Sequence, residues 1–293
     1  MKRIGYYRSC SLTASSNDYA RSLEMCFSRL GTRLVPIDDW NCCGASSAHS
    51  TSELLGLALP ARNLALAEQQ GLTTLLVPCS ACYTRMLTAA EKIRKNDDLA
   101  AEINGTIAPL RYMGTVQVKN ILEILWNQVG LDEIVLAKEH DLGGMKVVCY
   151  YGCYLTRTPG VASFDNRENP RLMEALLRTV GAEPLDWSFK TDCCGAGFSL
   201  IDAPVSVQLC ARMVDMAHQL GAEAIVTTCP LCQSNLDMNQ DRLRSEKEVP
   251  YRIPVFYLTD LIGVAVGCAL GNKQWRKRFV DPRDLLNRYA LAS

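Results

Sequence analysis

The sequence lacks any excess of charge: thirty-one Lys and Arg balance thirty-one Asp and Glu, with no long run of either sign. That excludes a nucleic acid or an anionic membrane as a partner recruited by bulk charge. It also lacks a run of ~18 apolar residues, the minimum for a membrane span. The nearest stretch, Val255 to Leu270, is interrupted by Thr259 and Asp260 and reads as a buried C-terminal helix. Met1 to Tyr7 lacks the apolar core of a signal peptide, so the chain is expected to be cytoplasmic, with its thiols facing a reducing environment. Histidine is scarce, at three residues. Cysteine is not. Fourteen cysteines in a long chain without a secretion signal point to metal ligation or redox chemistry rather than a disulfide scaffold. Hydrophobic residues make up 48% and charged residues 21%, which rules out wholesale disorder, and 293 residues suffice for two lobes.

The cysteines repeat. Cys10, the pair Cys42-Cys43 before Gly44, and Cys79-x-x-Cys82 form one series; Cys153, the pair Cys193-Cys194 before Gly195, and Cys229-x-x-Cys232 form a second. The intervening lengths are 31 and 35 residues in the first series and 39 and 34 in the second. The surroundings match as well. Gly5-Tyr6-Tyr7 precedes Cys10 much as Cys149-Tyr150-Tyr151 precedes Cys153, and Ala61-Arg62 corresponds to Ala211-Arg212. Five cysteines recurring in one order at nearly one spacing predict two homologous lobes, residues 1–142 with a helical linker and residues 143–293, joined near Asp141 to Gly144.

Within each lobe, short apolar runs end just before cysteines. Lys2 to Tyr7, Thr32 to Ile37, Leu72 to Val77, Lys146 to Tyr151 and Ala222 to Thr227 read as strands. Helices are predicted from Asn17 or Asp18 to Leu30 and from Glu53 to Gln70, with Gly31 and Gly71 as stops and Pro60 as a kink. Helical stretches are also expected over Val116 to Val129 and Leu131 to His140. This alternation predicts an α/β fold of two pseudo-twofold-related lobes, each a largely parallel sheet flanked by helices. Ligands collect beyond the carboxyl ends of such strands, where all five cysteines of a lobe would converge.

Soft thiolates select zinc, copper(I) or iron–sulfur clusters. A structural zinc needs four ligands in a closed tetrahedron, and here each lobe offers five. Adjacent cysteines point to opposite sides of an extended backbone, so they suit different atoms of a larger cluster better than one small ion. A polynuclear iron–sulfur centre in each lobe is the favoured reading, with zinc in one or both as the alternative. The spacing does not match the usual ferredoxin runs.

Cys10…Cys42-Cys43-Gly44…Cys79-x-x-Cys82 and Cys153…Cys193-Cys194-Gly195…Cys229-x-x-Cys232 resemble two copies of the cysteine-rich CCG domain. The whole, with Cys193-Cys194-Gly195-Ala196-Gly197 and Cys229-Pro230-Leu231-Cys232, is similar to the HdrB component of heterodisulfide reductase. The resemblance implies an oxidoreductase acting on sulfur groups. Each five-cysteine set would hold a non-cubane [4Fe-4S] cluster, and the two together would cleave a disulfide, or oxidise thiols, by paired one-electron steps. It implies two partners, an HdrC-like iron–sulfur protein and an HdrA-like flavoprotein. A competing reading within the same domain family is an electron-relay subunit, with zinc in one lobe, of a succinate dehydrogenase-, lactate or glycolate oxidase- or benzoyl-CoA reductase-type complex. Methanogen-type members carry a histidine directly after the first cysteine of the second lobe, where this chain has Tyr154. The run Ala45 to His49 looks more like the bacterial branch, which points away from the coenzyme M–coenzyme B heterodisulfide as substrate.

Other residues near the motifs are candidates for substrate contact or proton donation: His49, Tyr154, Arg8 and Arg157. Ser46, Ser47, Ser80, Thr227 and Thr228 are candidates for hydrogen bonds that tune a cluster. Cys26, Cys149, Cys210 and Cys268 fall outside both sets and read as small buried hydrophobes. Lys273, Arg276, Lys277 and Arg278 around Trp275 read as a solvated helix face.

Overall fold

A computed structural model describes residues 2–45, 47–157, 164–247 and 250–291. The first lobe runs β1 (Lys2–Tyr6), α1 (Ser9–Thr13), α2 (Asn17–Arg29), β2 (Thr32–Pro36), α3 (Ala48–Thr51), α4 (Glu53–Gln69), β3 (Thr74–Leu76), α5 (Ser80–Lys95), α6 (Asp97–Thr106) and β4 (Gln117–Lys119), then α7 (Ile121–Ile124) and α8 (Leu131–Ala137). The second runs β5 (Lys146–Tyr150), α9 (Cys153–Thr156), α10 (Leu172–Thr179), β6 (Glu183–Leu185), α11 (Ala203–Gln219), β7 (Ala224–Thr227), α12 (Pro230–Lys247), β8 (Val255–Tyr257) and α13 (Leu258–Ala265), followed by α14 (Asn272–Trp275) and α15 (Arg283–Arg288). Each lobe builds one four-stranded parallel sheet, in the order β2-β1-β3-β4 and β6-β5-β7-β8. The central strands are apolar on both faces because helices cover both: all four residues of β7 are buried, as are four of five in β5. The edge strands β2 and β6 tolerate Pro36 and Pro184, whose missing N–H would break a central ladder.

The fourth strand of each sheet corrects the expectation of helix over Val116 to Val129 and of helix throughout Val255 to Leu270. Gln117–Lys119 and Val255–Tyr257 are strands, and the helices begin only at Ile121 and Leu258. Three-residue strands leave no alternation to read, and each runs straight into an apolar helix. A local signal did mark the boundary: the Asn120 side chain accepts from the Glu123 N–H while Glu123 accepts from the Asn120 N–H. A capping box of that kind fixes a helix start at the residue after its first member.

The lobes share one hydrophobic core, in which Tyr19, Phe27 and Leu75 of the first join Cys149, Tyr151 and Phe256 of the second. Their contact is reciprocal. Helix α5, which carries the first Cys-x-x-Cys, packs on α9 of the other lobe, and α12, which carries the second, packs on α1. Helix α2 lies along α13. There Tyr19 stacks on Tyr257 at 3.8 Å, Tyr19 donates to the Thr228 carbonyl at 2.8 Å, and Ser22 donates to Thr259 at 2.9 Å. Arg278 is buried at this seam, where it meets Asp18 at 2.8 Å and Asp260 at 3.0 Å and lies over the Tyr257 ring. Its place in a solvated face is thus corrected: two aspartates distant in sequence hold it inside. Among the described residues no helix is long and apolar enough to cross a membrane.

Candidate metal centre

In each sheet the chain leaves the middle in opposite directions, through β1 and β3 in one lobe and β5 and β7 in the other. The carboxyl ends of such a pair open a crevice. Cys10 follows β1 and Cys79 follows β3, while Cys153 follows β5 and Cys229 follows β7. The Cys-Cys pairs arrive on the loops after the edge strands β2 and β6. One tyrosine in each lobe fastens that loop: Tyr7 donates to the carbonyl of Asn41 at 2.9 Å, and Tyr150 donates to the carbonyl of Asp192 at 2.7 Å. Asn41 and Asp192 directly precede the two pairs, so the lobes repeat this bond as well as the cysteines.

The backbone at these turns has little freedom. Gly44 and Gly195 have φ of 73° and 83°, and a Cβ on either would come within 2.7 Å of the Ala48 side chain or 2.9 Å of the Ser206 backbone. The residue before the first cysteine is left-handed in both lobes. Gly152 adopts φ 74° easily, whereas Ser9 holds φ 49° at a cost of ~1–3 kcal/mol, a strain of the kind stored at functional sites.

All ten predicted cysteines come to these crevices, in matching arrangement. Cys42 and Cys43 separate as their adjacency requires: Cys42 is exposed and interacts with Cys10, while Cys43 is buried with its sulfur 3.1 Å from that of Cys82. In the second lobe Cys193 is exposed and interacts with Cys153, while Cys194 is buried and interacts with Cys232. Cys79 and Cys229 are buried and interact across the lobe boundary, so the two sets abut. For Cys43, Cys193 and Cys229 the neighbouring thiol is the largest influence on ionisation. The bond from Cys82 pulls the Cys43 thiol down to about 7 against its burial, with the Ala45 N–H and the Arg85 charge helping. Cys153 pulls Cys193 down to about 6, and Cys232 and Cys79 hold Cys229 well below the usual thiol range. Each lobe thus contains thiols set to become thiolates, the form that binds metal.

The thiols interact in series rather than as a closed tetrahedron: Cys82 meets Cys79 as well as Cys43, and Cys232 meets Cys229 as well as Cys194. Among the described residues, no group of three or more His, Cys, Asp or Glu side chains is disposed to hold a single ion. Five spread thiols fit a polynuclear group better than one zinc. Donors beside them point the same way: the hydroxyls of Ser9 and Ser80 and the Nε of Arg85 are buried without an acceptor. Inorganic sulfides would supply such acceptors.

The other predicted residues are distributed differently. Arg157 lies beside the second pair, donating to Thr191 at 3.1 Å and Asp192 at 3.4 Å. Tyr154 is exposed next to Cys153, and its carbonyl accepts from Thr84 of the first lobe at 2.8 Å. Arg8 is drawn aside to Glu24, 2.5 Å away. His49 sits exposed on the short α3, which packs over Gly56, and has no hydrogen bond to a cysteine among the described residues. Thr227 accepts from the Cys229 N–H at 3.4 Å, while Thr228 offers its carbonyl to Tyr19; Ser46 lies outside the described residues. Cys26, Cys149 and Cys210 are buried as expected, whereas Cys268 is half-exposed.

Two groups escaped sequence reading. Asn235 donates to the Cys194 carbonyl at 2.8 Å and to the Cys210 sulfur at 3.2 Å, and Ser206 and Asn239 complete a buried polar cluster. Lys190 is buried against Glu174 at 2.8 Å, and Tyr151 donates to the same carboxylate. The first group had a sequence signal in Asn235 and Asn239, and in Ser206 and Cys210, polar residues spaced four apart on apolar helix faces.

Comparison with known proteins agrees with this architecture. The family model described as a cysteine-rich domain, CCG, matches residues 4–87 and again 147–237. The 8-methylmenaquinol:fumarate reductase membrane anchor subunit of Wolinella succinogenes is 31% identical, over 91% of this chain and 93% of that one. An HdrB-like heterodisulfide reductase protein of Archaeoglobus profundus is 29% identical, over 91% of each chain. The HdrB component of the ferredoxin/F(420)H(2)-dependent CoB-CoM heterodisulfide reductase of Methanosarcina acetivorans is 26% identical, over 91% and 90%. A crystal structure of a hypothetical protein from Helicobacter pylori shares the fold, with a TM-score of 0.75 and 12% identity over 95% of this chain and 52% of that one. With two matched domains, ten cysteines in register and relatives spanning nearly its whole length, the chain belongs to the CCG cysteine-rich domain family and is similar to the HdrB component of heterodisulfide reductase.

Proposed function

We propose that this chain is the iron–sulfur catalytic subunit of a cytoplasmic, heterodisulfide reductase-like complex. Cys10, Cys42, Cys43, Cys79 and Cys82 would hold one non-cubane [4Fe-4S] cluster, and Cys153, Cys193, Cys194, Cys229 and Cys232 a second. When bound, the two clusters supply one electron each, the pair that a disulfide takes up on cleavage. The observation that carries this reading is that both lobes keep all five thiols in one arrangement and meet through Cys79 and Cys229. A relay needs no such duplication; a two-electron cleavage uses both halves.

The protein's own groups divide the work by exposure. Cys10, Cys42 and Cys193 are exposed, so a small disulfide or thiol would reach the centres past them, whereas Cys79 and Cys229 are buried from water. Arg157, held by Asp192 at 3.4 Å and so less tightly than Arg8 by Glu24 at 2.5 Å, offers a cation at the rim for an anionic substrate, and the Tyr154 hydroxyl is the nearest candidate in sequence to hand a proton to a departing thiolate. Arg8 and His49 are weaker candidates, since one is engaged by Glu24 and the other faces outward. Electrons would come from an HdrC-like iron–sulfur protein, itself served by an HdrA-like flavoprotein.

The relatedness to a fumarate reductase subunit favours a second reading, an electron relay with one lobe holding zinc. EPR of the oxidised, metal-loaded chain with and without added thiol separates the two. A paramagnetic signal that appears or changes with thiol supports substrate binding at the clusters. A signal indifferent to thiol supports the relay.

A further inference from the structure

The two cysteine sets are built alike, yet the residue one helical turn beyond each Cys-x-x-Cys differs in charge. Counted from the motifs, Cys82 corresponds to Cys232 and Arg85 to Asn235. A position three residues on shares the helix face of the second cysteine, and that face meets the Cys-Cys loop in both lobes, through Cys82 and Cys43 in one and through Asn235 and the Cys194 carbonyl in the other. In the second lobe this place holds a neutral amide, satisfied by Cys194, Cys210 and Ser199. In the first it holds a guanidinium whose Nε is buried without an acceptor. The amide at 239 that braces Asn235 has Ala89 as its counterpart, so the first lobe lacks that dipole as well.

The other charges beside the thiols are matched. Arg8 pairs with Glu24, Arg62 with Asp39 and Arg157 with Asp192. Among the described residues no carboxylate is paired with Arg85, which lies on the helix face of Cys82, whose sulfur is 3.1 Å from that of Cys43. Net charge and hydrogen bonding to sulfur set the potential of an iron–sulfur centre, and a fixed cation stabilises the state that carries the extra electron. We infer that Arg85 makes the first-lobe centre the more easily reduced of the two, so that the first electron delivered by an iron–sulfur donor comes to rest beside Cys43 rather than beside Cys194. This rests on the two-cluster reading. It makes the twin sites unequal: the first lobe stores an electron while the second receives and passes on the next.

The test is an anaerobic redox titration of the full metal-loaded chain, followed by EPR, with iron measured on the same samples. The wild type is expected to show two separated midpoint potentials. Arg85→Asn, which gives the first lobe the residue of its twin, is expected to lower the higher midpoint towards the other. Arg85→Lys keeps the charge and is expected to keep them apart. Coincident midpoints in a wild type with full iron would overturn this inference alone, as would an Arg85→Asn variant that moves both midpoints or neither. A rise in KM with unmoved midpoints would overturn it too, assigning Arg85 to substrate binding. A wild type without iron would overturn the cluster reading, and this inference with it.

Discussion

Serine in place of Cys194 is expected to strip the second lobe of its centre, leave the first intact and abolish disulfide cleavage. The Cys194 sulfur interacts with Cys232, while its peptide is fixed from the other side by Asn235 and by Cys210, whose sulfur donates to the same carbonyl at 3.3 Å. The substitution therefore exchanges a soft thiolate for a hard hydroxyl without releasing the loop, and the loss should be one of metal affinity rather than of folding. Bound iron should fall by roughly half, since cysteine thiolates hold such clusters lobe by lobe. Cys210→Ser is the matched control. It alters a buried sulfur in contact with the same peptide but outside the five, and should leave the iron content unchanged. Iron and acid-labile sulfide per chain, with far-UV circular dichroism to verify the fold, decide the matter. A Cys194→Ser protein with its full complement of iron would remove Cys194 from the ligand set.

The largest effect on stability is expected at Arg278. Its side chain is 5% exposed and lies between Asp18, on the first lobe's α2, and Asp260, on the second lobe's α13, which is fully buried. Removing one partner from a buried pair leaves an uncompensated charge and costs about 3–5 kcal/mol. Arg278→Met should accordingly lower the thermal midpoint by roughly 5–15 °C for a chain of this size. Adding Asp18→Asn and Asp260→Asn should recover much of that loss, because neutral amides no longer need the cation. Thermal unfolding of the single and triple variants provides the measurement. A single variant that melts with the wild type would return Arg278 to the solvated face that its basic neighbours suggest.

Arg278 also shows where sequence reading stops. Lys273 to Arg278 looks like an exposed basic patch because the two aspartates that bury its last member, Asp18 and Asp260, lie far from it along the chain, and nothing local reveals them. The cysteines are the opposite case. Their order, the adjacent pairs and the following glycines are local facts, and geometry follows from them: adjacent side chains diverge, so Cys42 and Cys43 face different partners, and Gly44 must turn where no Cβ fits. The strands ending before cysteines were legible for the same reason. The fourth strands were not, since three residues carry no period, although the Asn120 and Glu123 pair shows the helix start to a reader who looks for caps before apolar runs. Ser9 is a third kind of failure. Its left-handed backbone becomes visible only when Gly152 is recognised as its twin, a comparison that needs the lobes aligned residue by residue. The asymmetry of Arg85 and Asn235 requires that same alignment.

The central claim is that both five-cysteine sets hold iron–sulfur clusters. Anaerobic analysis of iron, acid-labile sulfide and zinc in the purified wild-type chain tests it most directly. Two four-iron clusters require about eight irons and a similar amount of sulfide per chain, with no stoichiometric zinc. About four irons accompanied by one zinc would contradict the claim, leaving one lobe as a structural zinc site and the chain as a relay.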